Sequence, residues 1–126
     1  MTDLASLDVL DSGDGLVIAR IIGDLDLSNL HTVQAALVDA MPNEAHALVV
    51  DLTGVNFLDS SGVETLFRLQ RSLAVRQQRF AVAIPADAPT RRALELSGAG
   101  DDLVLAPSVD DALAVVRAEP EEEGAA

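Results

Sequence analysis

The first part of the chain alternates apolar and polar positions before it changes to a helical repeat. Residues 7–11 (LDVLD) and 16–22 (LVIARII) both have the period of two of a half-buried strand, and SGDG between them is a turn sequence. This pattern predicts an antiparallel β-hairpin. Over residues 28–41 the apolar positions recur at helical spacing, which predicts an amphipathic helix with Ser28 as its N-cap.

The second part of the chain alternates strand and helix patterns. Residues 47–52 (ALVVDL) form a continuous apolar run, which is typical of a strand that is covered on both faces and central in its sheet. Such alternation predicts a single α/β domain with a mixed, mostly parallel sheet, an N-terminal β-hairpin and about four helices. The other predicted elements are helices at 61–77, at 88–97 before Gly98 and from Ser108 onward, and strands at 80–84 and 103–105.

Length and tail composition set the domain boundaries. The 126 residues are about the length of one domain, and the pattern of elements continues to residue 117. The remaining segment, EPEEEGAA and the alanine before it, has no large apolar side chain that could anchor it. We therefore expect one domain over residues 1–117 and a disordered acidic tail over residues 118–126.

Charge and rare residues exclude several classes of function. The net charge of −13, with eight arginines and no lysine, repels a phosphate backbone, so we expect no nucleic acid partner. Cysteine is absent and the only histidines are His31 and His46, so we expect no metal and no redox cofactor. No apolar run approaches the ~18 residues of a membrane span and no secretion signal is recognisable, so we expect a cytoplasmic protein.

The motif DSSG, residues 59–62, lies between the apolar third strand and the second long helix, at the sheet edge where α/β proteins bind ligands. Ser61 is predicted to be the helix N-cap, with Glu64 completing a capping box. Ser60 then lies just outside the helix, with a hydroxyl free for solvent and a partner. Helix amides and the helix dipole favour an anion, so a phosphate could be accommodated there. The simpler interpretation is that both serines serve only the turn.

The order DLTGVNFLDSSGVETLFRL, with GDLD at 23–26 and ELSGAG at 95–100, resembles the STAS domain, which occurs in anti-sigma factor antagonists and in the tails of sulphate transporters. The resemblance spans about residues 7–117. It implies that Ser60, the first serine of the motif, accepts the phosphate. It also implies a partner-binding surface that comprises Asp26, Asp59, Ser60, Ser61 and Gly62.

The same resemblance implies the partners and how they are exchanged. The unphosphorylated protein would bind an anti-sigma factor with serine kinase activity and thereby displace a sigma factor, and the phosphorylated protein would release it. A phosphatase is a further candidate partner. The main alternative is a phosphorylation-independent STAS scaffold in a larger signalling or lipid-transport assembly, in which Ser60 serves only the turn.

Enzymatic interpretations have less support in the residues. Asp51 at the end of the apolar run could be a receiver-type phosphoacceptor, but such sites need further acids and a lysine, and the chain has no lysine. A hydrolase that pairs Ser60 with His31 or His46 would need an oriented base and an oxyanion hole, and no GxSxG motif is present. The chain also has no glycine-rich phosphate loop, so any ATP belongs to the partner. We therefore expect a binding module and no enzyme.

Overall fold

Five strands and four helices make up the part of the chain that the structure describes. The structure is a computed structural model and describes residues 6–11, 14–25, 30–96 and 103–117. The predicted tail from residue 118, the predicted cap Ser28 and Gly98 lie outside these residues. In chain order the elements are β1 Ser6–Asp11, β2 Leu16–Leu25, α1 Leu30–Ala40, β3 Ala47–Leu58, α2 Ser60–Val75, β4 Arg79–Ala83, α3 Pro89–Leu96, β5 Leu105–Ala106 and α4 Val109–Arg117.

The sheet confirms the predicted mixed α/β class. Its strand order is β1-β2-β3-β4-β5, with β1 antiparallel to β2 and every other neighbouring pair parallel. The predicted hairpin is therefore β1–β2, and the apolar run of 47–52 lies in the central strand, where all six of its residues are buried. Within the described residues, β5 is shorter than the predicted 103–105 and is shifted, because only Leu105 and Ala106 pair with β4.

The two faces of the sheet are covered unequally. Right-handed crossovers that advance in one direction along a sheet place their helices on one face, and α1, α2 and α3 accordingly share one apolar core. On β3 this core takes the alternate side chains Leu48, Val50 and Leu52. Helix α4 covers the opposite face, where small side chains such as Ala81 and Ala112 let helix and sheet approach closely.

The central strand is twice as long as predicted, since β3 continues from Leu52 to Leu58. The pairing with β2 shifts register twice along this extension, between Arg20 and Ile22 and between Gly23 and Asp24. The local sequence Thr-Gly-Val-Asn has a weak strand pattern, so its pairing with the ten-residue β2 decides its conformation. As a result a single residue separates the end of β3 from the start of α2, and the DSSG motif lies directly on the junction.

Candidate functional site

The DSSG motif lies at the carboxyl-terminal edge of the parallel strands. Leu25 at the end of β2 pairs with Leu58 at the end of β3, so both chains leave the sheet side by side. The next residue after β3 is Asp59, and α2 begins at Ser60. Asp26 follows β2 directly but lies outside the described residues, so its proposed place in the partner surface stays a prediction.

The residue that caps α2 is Asp59, so the prediction that Ser61 is the N-cap is wrong. Asp59 has an extended backbone, with φ −92° and ψ −177°, and its Oδ1 accepts a hydrogen bond of 2.9 Å from the Gly62 N–H. This is the side-chain bond to the third helical residue that defines an N-cap. Aspartate and serine cap equally well, so the longer β3 decides the matter by placing the last extended residue at Asp59.

The predicted capping box is also wrong, because it required a cap at Ser61. Ser61 is the second residue of the helix, and its carbonyl accepts a 2.9 Å bond from the Thr65 hydroxyl. Glu64 instead pairs with Arg68 one turn further on, at 3.0 Å, as its spacing predicted. Ser60 is thus the first residue of the helix and not a residue outside it.

The two serines of the motif differ in exposure. Ser60 is exposed, Ser61 is half-buried and Gly62 is buried, because the first turn of α2 rotates from solvent toward the core within three residues. Two apolar side chains fix this turn: Leu58 before the cap and Val63 at the fourth helical position are both buried in the same core. That arrangement is a hydrophobic staple. The Ser60 hydroxyl is therefore accessible on a turn held at both ends.

An open groove of about 670 Å³ lies between α2 and α3, with Ser60 and Asp59 at its edge. Its walls are mainly apolar, and Leu96 at the end of α3 is 78% exposed beside it. The sequence pattern could not reveal this groove, because it depends on how α3 packs beside α2. The lining side chains are Leu58, Asp59, Ser60, Val63, Glu64, Phe67, Arg71, Ala93 and Leu96.

The electrostatic surroundings of Ser60 are more acidic than the helix dipole alone implies. The Asp59 carboxylate already accepts the Gly62 amide, so it partly neutralises the positive end of α2. Glu64 lies one turn from Ser60 on the same side of the helix, and both side chains line the groove. A phosphate on Ser60 would therefore lie near two carboxylates, and one of the amides that could stabilise it is occupied. Of the nearby cations, Arg68 already pairs with Glu64, and Arg71 lines the same groove.

The other sites considered from the sequence do not share this surface. Asp51 is 1% exposed, and its carboxylate accepts bonds from the Thr53 N–H and hydroxyl and from Arg20 Nε at 3.2 Å. Asp51 is thus a buried structural carboxylate paired with the half-exposed Arg20, and the sequence did not predict this ion pair. His46 precedes β3 and lies at the opposite end of that strand from Ser60. His31 lines a separate depression on α1 and not the groove beside Ser60.

None of the described helices is long and apolar enough to cross a membrane. Across ranges 6–11, 14–25, 30–96 and 103–117, no three histidine or acidic side chains come together in a group that could hold a metal ion.

Known proteins resemble this chain in sequence and in fold. The family model of the STAS domain matches residues 3–112. The anti-sigma-F factor antagonist RsfB of Mycobacterium tuberculosis is 29% identical over 104 residues, which cover 82% of this chain and 84% of RsfB. An anti-sigma factor antagonist from Mycobacterium paratuberculosis, known from its crystal structure, is 32% identical, with a TM-score of 0.75 and coverage of 90% of this chain and 95% of that one. The phosphorylated form of Bacillus SpoIIAA has the same fold, with a TM-score of 0.63 at 23% identity and coverage of 88% and 99%.

Proposed function

The chain belongs to the STAS domain family, and we propose that it acts as an anti-sigma factor antagonist controlled by phosphorylation of Ser60. Unphosphorylated, it sequesters an anti-sigma factor that is also a serine kinase; phosphorylated, it releases this partner. The observation that carries the proposal is the exposed hydroxyl of Ser60 on the first turn of α2, beside an apolar groove. The similarity of the chain to RsfB and to the antagonist from Mycobacterium paratuberculosis supports an anti-sigma factor as the partner.

Accessibility favours Ser60 over Ser61 as the phosphoacceptor. A kinase must bring the γ-phosphate of ATP in line with the attacking oxygen, which requires a hydroxyl that projects from the protein surface. Ser60 is exposed, whereas Ser61 is half-buried in a turn whose next two residues are buried. Phosphorylation of Ser60 therefore requires no opening of the helix. SpoIIAA has been solved in a phosphorylated form, so a protein of this fold carries the modification.

The proposed partner surface combines the DSSG turn with the groove. Apolar side chains such as Phe67 and Leu96 would supply most of the buried area, and Asp26, Asp59, Ser60, Ser61 and Gly62 would contact the partner's active site. The partner supplies ATP, since the chain has no glycine-rich phosphate loop. A phosphatase would restore the free serine. Because its partner acts on a sigma factor, the protein would work in the cytoplasm. We propose that it acts by binding alone, without catalysis of its own.

Electrostatic repulsion would then release the partner. Phosphate adds about −1.5 to −2 charges at neutral pH, and its hydration must be removed when the surface docks. Here the new charge would lie beside Asp59 and Glu64, so neither neighbour compensates it. Each loss of ~1.4 kcal/mol weakens binding tenfold, so release can be nearly complete without a change of fold.

The direct test is to incubate the pure protein with ATP and the anti-sigma factor kinases of its own genome, and to locate phosphate by mass spectrometry. We expect phosphate on Ser60 of the parent and of Ser61→Ala, and none on Ser60→Ala. Ser61→Ala is the matched control, because it removes the neighbouring hydroxyl and retains the Asp59 cap. Phosphate on Ser61 would overturn the assignment. Equal affinity of the phosphorylated and unphosphorylated forms for the kinase would favour the phosphorylation-independent scaffold.

A further inference from the structure

Asp59 is the single residue between β3 and α2, and it is held by the core on one side and by a hydrogen bond to the helix on the other. Leu58, the residue before it, is buried in the core. The Asp59 carboxylate accepts a 2.9 Å hydrogen bond from the Gly62 amide. Ser60 lies inside this short closed segment, between the capping residue and the amide that the cap binds. The backbone of Ser60 therefore cannot turn without breaking the cap or moving a core side chain.

We propose that Asp59 is the positioning residue for Ser60: it acts through the cap of α2 and holds the hydroxyl in the orientation in which the kinase can phosphorylate it. This inference rests on the proposed function of Ser60. It assigns to the hydrogen bond of Asp59 a role that the sequence assigned to contact with the partner. The Oδ1 atom of Asp59 accepts the Gly62 amide, so this role needs no contact with ATP or with the transferred phosphate.

The physical basis is the fraying of helix ends. The first residues of a helix have no intrahelical acceptor for their N–H groups, and a side-chain cap supplies one. Without the cap, the first turn of α2 would remain anchored at Val63, which is buried, but Ser60 would sample several orientations. Only a fraction of them would place the hydroxyl in line for transfer, and small misplacements at a reacting atom can lower a rate by about a hundredfold.

Substitutions at Asp59 separate the hydrogen bond from the charge. Asparagine caps a helix about as well as aspartate but carries no charge, whereas alanine removes both the cap and the charge. If the hydrogen bond of the cap is what matters, the kinase phosphorylates Asp59→Asn about as fast as the parent. If the carboxylate instead pairs with a cation of the partner, it phosphorylates Asp59→Asn about as slowly as Asp59→Ala.

Helix α4 offers a matched control for the general loss of a cap. The Ser108 hydroxyl accepts a 3.1 Å bond from the Asp111 N–H, the same relation that Asp59 has to Gly62. Ser108→Ala therefore removes one helix cap on the other face of the sheet and leaves α2 intact. A change that appears in both Asp59→Ala and Ser108→Ala would reflect reduced stability alone.

The experiment measures kcat and KM for phosphorylation of each variant by the kinase that modifies the parent. We expect Asp59→Asn to stay within about threefold of the parent in kcat/KM, as its capping ability implies. Asp59→Ala should lose at least about tenfold, mainly in kcat, because the orientation of the hydroxyl changes and the docking surface remains. Ser108→Ala should match the parent. Equal losses in Asp59→Asn and Asp59→Ala, or no loss in Asp59→Ala, would overturn the proposal.

A second measurement needs no kinase and so separates this inference from the proposed function. Backbone ¹⁵N relaxation of the free protein reports the order of the Ser60, Ser61 and Gly62 amides. We expect lower order parameters at these positions in Asp59→Ala and unchanged ones in Asp59→Asn and Ser108→Ala. Unchanged order in Asp59→Ala would overturn the positioning role whether or not Ser60 is phosphorylated. Absence of phosphate from the parent would overturn the proposed function and the kinase part of this inference, whereas the ordering of the first turn by Asp59 would stand on the relaxation data alone.

Discussion

Helices α2 and α4 both begin at the carboxyl-terminal edge of the sheet and both have a side-chain cap. In α2 the Gly62 N–H donates to Asp59, and in α4 the Asp111 N–H donates to Ser108, in each case three residues after the cap. The two bonds are also similar in length, at 2.9 and 3.1 Å. A capped helix at this edge is therefore an ordinary structural feature of the fold and does not by itself identify a site.

The surroundings of the two caps differ. The residue after Asp59 is an exposed serine, and α3 forms an apolar groove beside it. The residue after Ser108 is Val109, which packs on the small-residue core, and the first turn of α4 continues with Asp110 and Asp111. The start of α4 thus offers no second hydroxyl and has two acids in its first turn. The comparison indicates that the spare hydroxyl and the groove, and not the cap, distinguish the candidate site.

The largest expected effects separate the groove from the core beneath it. Leu94 is fully buried on α3 and Leu96, two residues later, is 78% exposed at the groove. We expect Leu94→Ala to lower the free energy of unfolding by about 2–5 kcal/mol, measured by urea denaturation. Leu96→Ala should leave stability nearly unchanged but weaken binding of the anti-sigma factor severalfold, measured by calorimetry.

Leu94→Ala and Leu96→Ala control for one another, because both truncate a leucine of the same short helix. Unchanged affinity in Leu96→Ala would remove the groove from the partner surface, and the difference between α2 and α4 would then reduce to the spare hydroxyl. A similar loss of stability in both variants would instead show that the end of α3 is part of the core.

The next effect concerns the charge at Ser60. Ser60→Asp should weaken binding of the anti-sigma factor by at least about tenfold, or ~1.4 kcal/mol. The substitution adds a carboxylate near Asp59 and Glu64, at a surface that must be desolvated on binding. Calorimetric titration with the anti-sigma factor measures this change. Pro107→Asp adds a charge at an exposed residue beside the Ser108 cap of α4, and its circular dichroism and affinity show what an added acid does away from the groove. Equal affinity of Ser60→Asp and the parent would contradict the switch.

The caps themselves should contribute comparable stability. Asp59→Ala and Ser108→Ala should each lower the free energy of unfolding by about 1 kcal/mol, since each leaves one amide of the first turn without its acceptor. Ser61→Ala should change it by much less, because the Ser61 side chain is not the cap. Urea denaturation of the three variants measures these differences. A larger loss in Ser61→Ala than in Asp59→Ala would restore Ser61 as the cap.

Much of the fold could be predicted because its signals are local. The alternation in β1 and β2 predicted the hairpin, and the continuous apolar run of 47–52 predicted the buried central strand. The extension of β3 to Leu58 could not be predicted in this way, because it depends on pairing with β2 across two register shifts. Arg20 and Asp51 illustrate the same limit, since their ion pair joins neighbouring strands at residues 31 apart in sequence.

The position of the candidate site was predictable, but its geometry was not. The residue types of DSSG identified a helix start with a spare hydroxyl, and the structure leaves Ser60 as the exposed serine. The identity of the cap depended on where β3 ends, and a shift of two residues replaced the predicted cap Ser61 by Asp59. The groove depended on the packing of α3 against α2, which no local pattern encodes.

The smallest effect is the coupling between Ser60 and Glu64, which has no counterpart at the start of α4. Glu64 pairs with Arg68 at 3.0 Å, but its side chain is 62% exposed, so Glu64→Gln alone should lower stability by only about 0.3 kcal/mol. In the Ser60→Asp background the same substitution also removes the repulsion between two acids one turn apart. Such a like-charge pair destabilises a helix by a similar amount. Glu64→Gln should therefore leave the free energy of unfolding nearly unchanged in that background.

A double-mutant cycle of unfolding free energies at low salt measures the coupling between residues 60 and 64. A concentration of 1 M salt should abolish this coupling because the Debye length falls to about 3 Å. A cycle that closes with no coupling at low salt would show that an acid at Ser60 does not sense Glu64, and repulsion at the docked surface would then have to come from Asp59 and from the partner.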